Sequence, residues 1–158
     1  MSNGKRAQIL ELAKVERDNK TPYIYGGQTL GRALDCSGLV CAIWTRLGLR
    51  PSGFDSTAHA LHFSLPAVRL DQLAGGDLAF FATDSQNAPW AGFHVHHVAI
   101  YSGADQWGRP YIIHASGGSS TCRSFAAAAI RRAFVKQTRL LGRKHLIGFG
   151  SIAPLLQP

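Results

Sequence analysis

The spacing of apolar residues changes partway along this chain, and the change narrows the folds open to it. In residues 5–18 (KRAQILELAKVERD), Ile9, Leu10 and Ala13 fall on one side of a helix with charges on the other. After a loop broken by Pro22 and the glycines of GGQTLGR, Cys36–Leu47 repeats the pattern: Val40, Ile43, Trp44 and Leu47 form one stripe, and Gly48 ends it. Residues 55–62 predict a short third helix capped by Asp55 or Ser56. Beyond that point the period falls to two. Asp77–Ala82, Val95–Ser102 and Tyr111–Ala115 read as strands bounded by Gly, Pro, Asn and Asp. A helix over 124–136 and a strand over Leu146–Ile152 complete the pass. Helices first and strands afterwards, without regular alternation, predict an α+β fold with an antiparallel sheet, in one domain spanning 1–158.

With 46% hydrophobic and 16% charged residues, the chain has material for a core and does not read as disordered. No apolar run reaches the roughly 18–20 residues a membrane span needs. Charges interrupt every apolar stretch of MSNGKRAQILELAKVERDN, so no signal peptide is expected and synthesis in the cytoplasm is. Three cysteines do not make a disulfide framework. The net charge of +8 is uneven: residues 1–105 balance nine Lys/Arg against nine Asp/Glu, while 106–158 hold eight Lys/Arg and no acid. Such a surface either attracts a polyanion or is simply a soluble basic face.

The segment Asp35-Cys36-Ser37-Gly38-Leu39-Val40 carries the most chemical information. Asp35 can cap the helix, placing Cys36 in its first turn, where free N–H groups and the helix dipole favour a thiolate. An isolated cysteine in phase with Val40 and Ile43 can equally be a small buried hydrophobe, the reading given to Cys41 and Cys122. A nucleophilic cysteine needs a base. Of seven histidines, His97 and His114 sit in predicted strands, and His114 could accept from the second ring nitrogen of His97 and fix its tautomer. His96 points to the opposite face from His97. The cluster His94-x-His96-His97 lacks a carboxylate or cysteine at a familiar ligand spacing, and neither a metal nor another cofactor is expected.

Five blocks stand in order: Tyr23-Ile24-Tyr25-Gly26-Gly27, Asp35-Cys36-Ser37-Gly38-Leu39-Val40, Gly76-Asp77-Leu78-Ala79-Phe80-Phe81, His97-Val98-Ala99-Ile100-Tyr101 and Ile113-His114-Ala115. Over about residues 5–118 the chain resembles the NlpC-type cell-wall peptidases, papain-like cysteine peptidases of peptidoglycan. The resemblance implies an antiparallel sheet packed on N-terminal helices, with the nucleophile at a helix N-terminus. It implies Cys36 as nucleophile, His97 as base and then acid, and His114 as the group orienting His97. Tyr25 would line the cleft and help stabilise the oxyanion with the Cys36 N–H, and Asp35 and Ser37 would hold the free amine of a stem peptide. The implied reaction is hydrolysis of an amide in the stem peptide, of the D-glutamyl–diamino acid type.

Two departures from the family pattern stand out. The fifteen residues 82–96 (ATDSQNAPWAGFHVH) replace a short turn, and Pro89, Trp90 and Phe93 suggest an ordered flap over the cleft. LRPSGFDSTAHA stands where the family carries an L-P-R block. Expected partners are the stem peptide and, for an effector, an inhibitor or immunity protein, with a monomeric chain and no nucleic acid. The wall would be reached in a phage tail particle, through a dedicated secretion machine delivering an antibacterial effector, or by release on lysis. Two other readings keep the same residues: a cysteine acyltransferase or amidase on this fold, and a non-catalytic basic module binding wall polymer or nucleic acid.

Overall fold

The computed structural model describes residues 2–85 and 92–158, with the backbone alone at 2, 84, 85 and 92. Helix α1 (Ser2–Asp18) leads into a short hairpin, β1 (Gln28–Thr29) and β2 (Ala33–Leu34), and then into α2 (Cys36–Arg46) and α3 (Ala58–Ser64). The strands β3 (Ala67–Val68), β4 (Leu78–Ser85), β5 (Gly92–Ala104) and β6 (Pro110–Ser116) follow, then α4 (Phe125–Arg131), β7 (Phe134–Arg139) and β8 (Leu146–Gly150). The main sheet has the order β3-β8-β4-β5-β6-β7, and every pairing in it is antiparallel. The α+β, helix-on-sheet expectation holds.

The α2 stripe faces the sheet. Leu39, Val40, Ile43 and Trp44 are fully or almost fully buried in one cluster with Phe80, Val98, Ile100 and Ile113. At about 1.5–3 kcal/mol for each large apolar side chain removed from water, this interface dominates the stability of the fold. The opposite face of the sheet holds a smaller core of Ala79, Phe81, Ala99, Ile112 and Leu140. Buried Asp77 ties the chain ends together, accepting from Arg6 at 2.9 Å, from the Ala74 N–H at 2.9 Å and from the Ile152 N–H at 3.0 Å.

Two irregularities shape the middle of the sheet. The β4–β5 register steps from Phe81↔His97 to Ala82↔Val95, so His96 is the extra residue of a β-bulge. The pairing of β5 with β6 runs from Ala104↔Pro110 only as far as Ile100↔Ile113, while β6 continues along β7 to Ser116↔Phe134. The sheet therefore splays between the His97 end of β5 and the His114 end of β6.

Three expectations need correcting. The helix expected over 124–136 ends at Arg131, because Arg132 takes a left-handed conformation (φ 54°) and the chain turns into β7. The cap of α3 is Thr57, whose side chain accepts from the Ala60 N–H, rather than Asp55 or Ser56. The 82–96 segment is largely a lengthening of the β4–β5 hairpin, with Asp84↔Phe93 still in register, so its described part is sheet. Pro89 and Trp90 lie outside the described residues, and Phe93 is solvent-exposed on the lengthened strand.

Candidate active site

Asp35 ends the β1–β2 hairpin and opens α2. Its Oδ1 accepts from the Gly38 N–H at 2.7 Å, the capping bond, and its Oδ2 accepts from the Gly26 N–H at 2.7 Å. One carboxylate thus fixes both the helix start and the Tyr25-Gly26-Gly27 loop. The Ser37 hydroxyl lies 3.4 Å from the same Oδ1. Gly38 is required by the closeness of that loop: a Cβ there would lie 1.8 Å from the Gly27 carbonyl oxygen. Gly38→Ala is accordingly expected to cost about 3 kcal/mol or more, and a melting temperature within a few degrees of wild type would refute this packing account.

Cys36 is buried against β5 where the sheet splays. Its Sγ lies 3.9 Å from the His96 carbonyl and also receives the Val98 N–H, so the sulfur touches the backbone on both sides of His97. Three backbone N–H groups, those of Cys36, Ser37 and Val98, favour the thiolate as the helix-terminus argument requires. Burial outweighs them and, with the nearby Asp35 carboxylate, pushes the thiol up to about 12. The helix N-terminus is present, and desolvation against the strand acts against it as the larger effect.

His97 Nε2 meets His114 Nδ1 at 2.8 Å, and His114 Nε2 meets Thr138 Oγ1 at 3.0 Å. The Arg143 guanidinium donates to the same Thr138 oxygen at 3.1 Å. This line crosses β5, β6 and β7 and ends in the loop after β7. Burial drives both imidazoles toward the neutral form, His97 down to about 3 and His114 down to about 2, with Arg143 adding to the effect on each. Two proton patterns fit the line. If His114 donates from Nε2 to Thr138, then Nδ1 accepts from His97 and leaves the His97 Nδ1 lone pair free. The reverse pattern places a proton on Nδ1. Only the first makes His97 a base.

A cleft of about 570 Å³ is lined by Cys36, His97, Tyr25, Asp35 and Ser37, so the proposed nucleophile, base and substrate-binding residues share one cavity. His114 lies behind His97, fully buried. Tyr25 is half exposed, with the Arg123 guanidinium 5.1 Å over its ring. Tyr23, which the sequence did not single out, also lines the cleft. Burial raises its pKa, and the nearby Asp35 carboxylate adds to the effect. Asp55 joins Asp35 in the cleft wall and accepts from Gln28. Cys41 and Cys122 are free and buried. Among the described residues no group of His, Cys, Asp and Glu is placed to hold a metal, and no helix is long and apolar enough to cross a membrane.

With burial raising the thiol and lowering the imidazole, thiolate absorbance near 240 nm is expected to be indistinguishable between wild type and Cys36→Ala from pH 4 to 9. A Cys36-dependent step with a midpoint below pH 6 would show the ion pair instead.

Several solved structures share this architecture. The NlpC/P60 domain of the peptidoglycan hydrolase SagA is 21% identical, matched over 93% of this chain and 98% of its own, with a TM-score of 0.62. A lipoprotein-like NLP/P60 protein of Staphylococcus aureus is 21% identical over 94% of this chain, which spans only 41% of it, with a TM-score of 0.66. RipD of Mycobacterium tuberculosis, described as a non-catalytic NlpC/P60 domain protein adapted to binding peptidoglycan, is 13% identical over 94% of this chain and 97% of its own, with a TM-score of 0.63. No curated protein sequence matches the chain. The sequence model of the NlpC/P60 family matches residues 20–139, the stretch from the Tyr25 loop through the strand that bears Thr138. The chain belongs to the NlpC/P60 family.

Proposed function

We propose that the chain is a cysteine peptidase of peptidoglycan stem peptides, cutting the amide between the side-chain carboxyl of D-glutamate and a diamino acid. One observation carries this reading: Cys36 at the start of α2 and the His97–His114–Thr138 line meet at one cleft. RipD shows that the fold alone does not make a catalyst. In this chain a thiol, a base and an orienting group are all present.

As Cys36 attacks the amide carbonyl, its proton passes to His97 and the carbonyl oxygen takes up the negative charge. The Cys36 N–H at the helix start is a donor for that oxyanion, and Tyr25 and Tyr23 offer phenols from the cleft wall. The C–N bond then breaks, and the amine leaves with the proton from His97. Water, losing a proton to His97, attacks the thioester and releases the glutamyl carboxylate. Asp35 and Asp55 give the cleft the negative charge that suits the free amine at the start of a stem peptide.

Digestion of defined stem peptides, followed by mass analysis, tests the proposal. Wild type is expected to give new amino termini at the diamino acid, and Cys36→Ala to give none. Transfer of the acyl group to an added amine in place of hydrolysis would replace the peptidase with an acyltransferase. The same reading places the chain in a phage tail particle or among secreted antibacterial effectors. Expression in the periplasm of a Gram-negative cell is then expected to arrest growth for wild type and not for Cys36→Ala.

A further inference from the structure

A second cavity, of about 540 Å³, adjoins the cleft and shares with it the wall formed by His96, His97 and Ser116. Its far side is the loop between β7 and β8, which brings in Arg143, Lys144 and His145. The two cavities differ in sign. Asp35 and Asp55 face the one that holds Cys36, while no Asp or Glu is among the described residues lining the other. Neither Arg143 nor Lys144 has an ion-pair partner among the described residues. Arg143 spends one N–H on Thr138 and lies over the Phe81 ring at 5.8 Å, which holds its planar head in place and leaves its other donors available. His97, which must hand a proton to the leaving amine, stands in the wall between the two cavities.

We infer that this basic cavity is a carboxylate-binding subsite for the leaving side of the substrate, reading the free distal carboxylate of a diaminopimelate-type residue through Arg143 and Lys144. The inference rests on the proposed hydrolysis for the direction of the substrate: amine end against Asp35 and Asp55, scissile amide at Cys36, leaving residue beyond His97. A fork of guanidinium donors with an ammonium beside it suits a carboxylate and offers nothing comparable to a carboxamide or to the bare end of a lysine side chain. The subsite is also wired to the relay, because the guanidinium that would meet the carboxylate is the one that donates to Thr138.

The test compares a meso-diaminopimelate stem peptide with the same peptide carrying a carboxamide in place of the distal carboxylate. Equilibrium binding to Cys36→Ala, which cannot turn over, is expected to be at least about tenfold tighter for the carboxylate. The preference should shrink as salt rises. Arg143→Gln in that background is expected to bring the two affinities within about twofold of each other, and Lys144→Gln to narrow the gap less, because the ammonium is a single exposed point charge. Each variant is scored by the ratio of two ligands on the same protein, so general damage to the fold cancels. Equal affinity for the two peptides, or a ratio that Arg143→Gln leaves unchanged, overturns the subsite. A tenfold preference in binding with neither peptide cleaved by wild type leaves the subsite standing and removes the hydrolysis. Cleavage of both peptides without a preference does the reverse.

Discussion

His97→Ala is expected to lower kcat on a stem-peptide substrate by about 10³–10⁴ while leaving KM within a few-fold of wild type. The size follows from the state of the resting pair. With the thiol pushed up to about 12 and the imidazole down to about 3, an ion pair formed ahead of reaction is strongly unfavourable. The proton is then expected to leave sulfur as the S–C bond forms, with His97, which lines the same cleft as Cys36, as the proposed acceptor. Without His97 the sulfur remains a thiol at neutral pH and the leaving amine has no acid. His114→Gln should cost less, about 10–100-fold in kcat, because the amide can still contact His97 Nε2 but loses the rigid line to Thr138. On the proposal that Cys36 and His97 act as one unit, the double variant Cys36→Ala/His97→Ala should be no slower than Cys36→Ala alone. Turnover by His97→Ala within about tenfold of wild type, in a protein with an unchanged melting curve, would remove His97 from the role of base.

How much of this was legible in the sequence depends on whether a property is local. Asp35, Cys36 and the α2 stripe are set by neighbours within one or two turns, and the capping bond to Gly38 forms as the motif implies. His97 and His114 could be paired on paper because both strands have clear period-two patterns and neighbouring strands in such a sheet are hairpin-connected. Thr138 could not. Its strand was hidden inside SFAAAAIRRAFVK and the residues after it, whose alanines favour a helix. The left-handed Arg132 and the ladder with β6 convert Phe134–Arg139 into a strand. The protonation state of Cys36 was likewise out of reach. The helix N-terminus is a sequence feature, whereas the burial that outweighs it is set by tertiary packing, which brings the sulfur to the His96 carbonyl sixty positions away along the chain. The basic excess of the last third was visible as a total. That Arg143 and Lys144 gather at one cavity beside His97 follows only from the turn that joins β7 to β8.

The fold is expected to lose stability steeply below pH 6.5, and the two relay histidines set the slope. In the unfolded chain each imidazole titrates near 6.5. In the native protein His97 stays neutral to about 3 and His114 to about 2, so between these limits these two groups alone bind up to two more protons in the unfolded chain, and His62, His94 and His96, also lowered by burial, add in the same sense. Stability therefore rises with pH across this window and falls as pH drops through it, by about 1.4 kcal/mol per pH unit for each histidine. At pH 5 the combined loss is on the order of 4 kcal/mol, a large part of the roughly 5–15 kcal/mol that holds a domain of this kind together. Asp35 works in the opposite sense. Its carboxyl is raised by burial, so protonating it favours the native state. Urea midpoints measured from pH 7 to 4.5 give the slope directly, and His114→Gln should remove about one proton from it whatever the variant does to stability at pH 7. A midpoint constant between pH 7 and 5, or a slope that His114→Gln leaves untouched, would mean that the imidazoles are not held neutral. The burial argument that also keeps Cys36 a thiol would then lose its support.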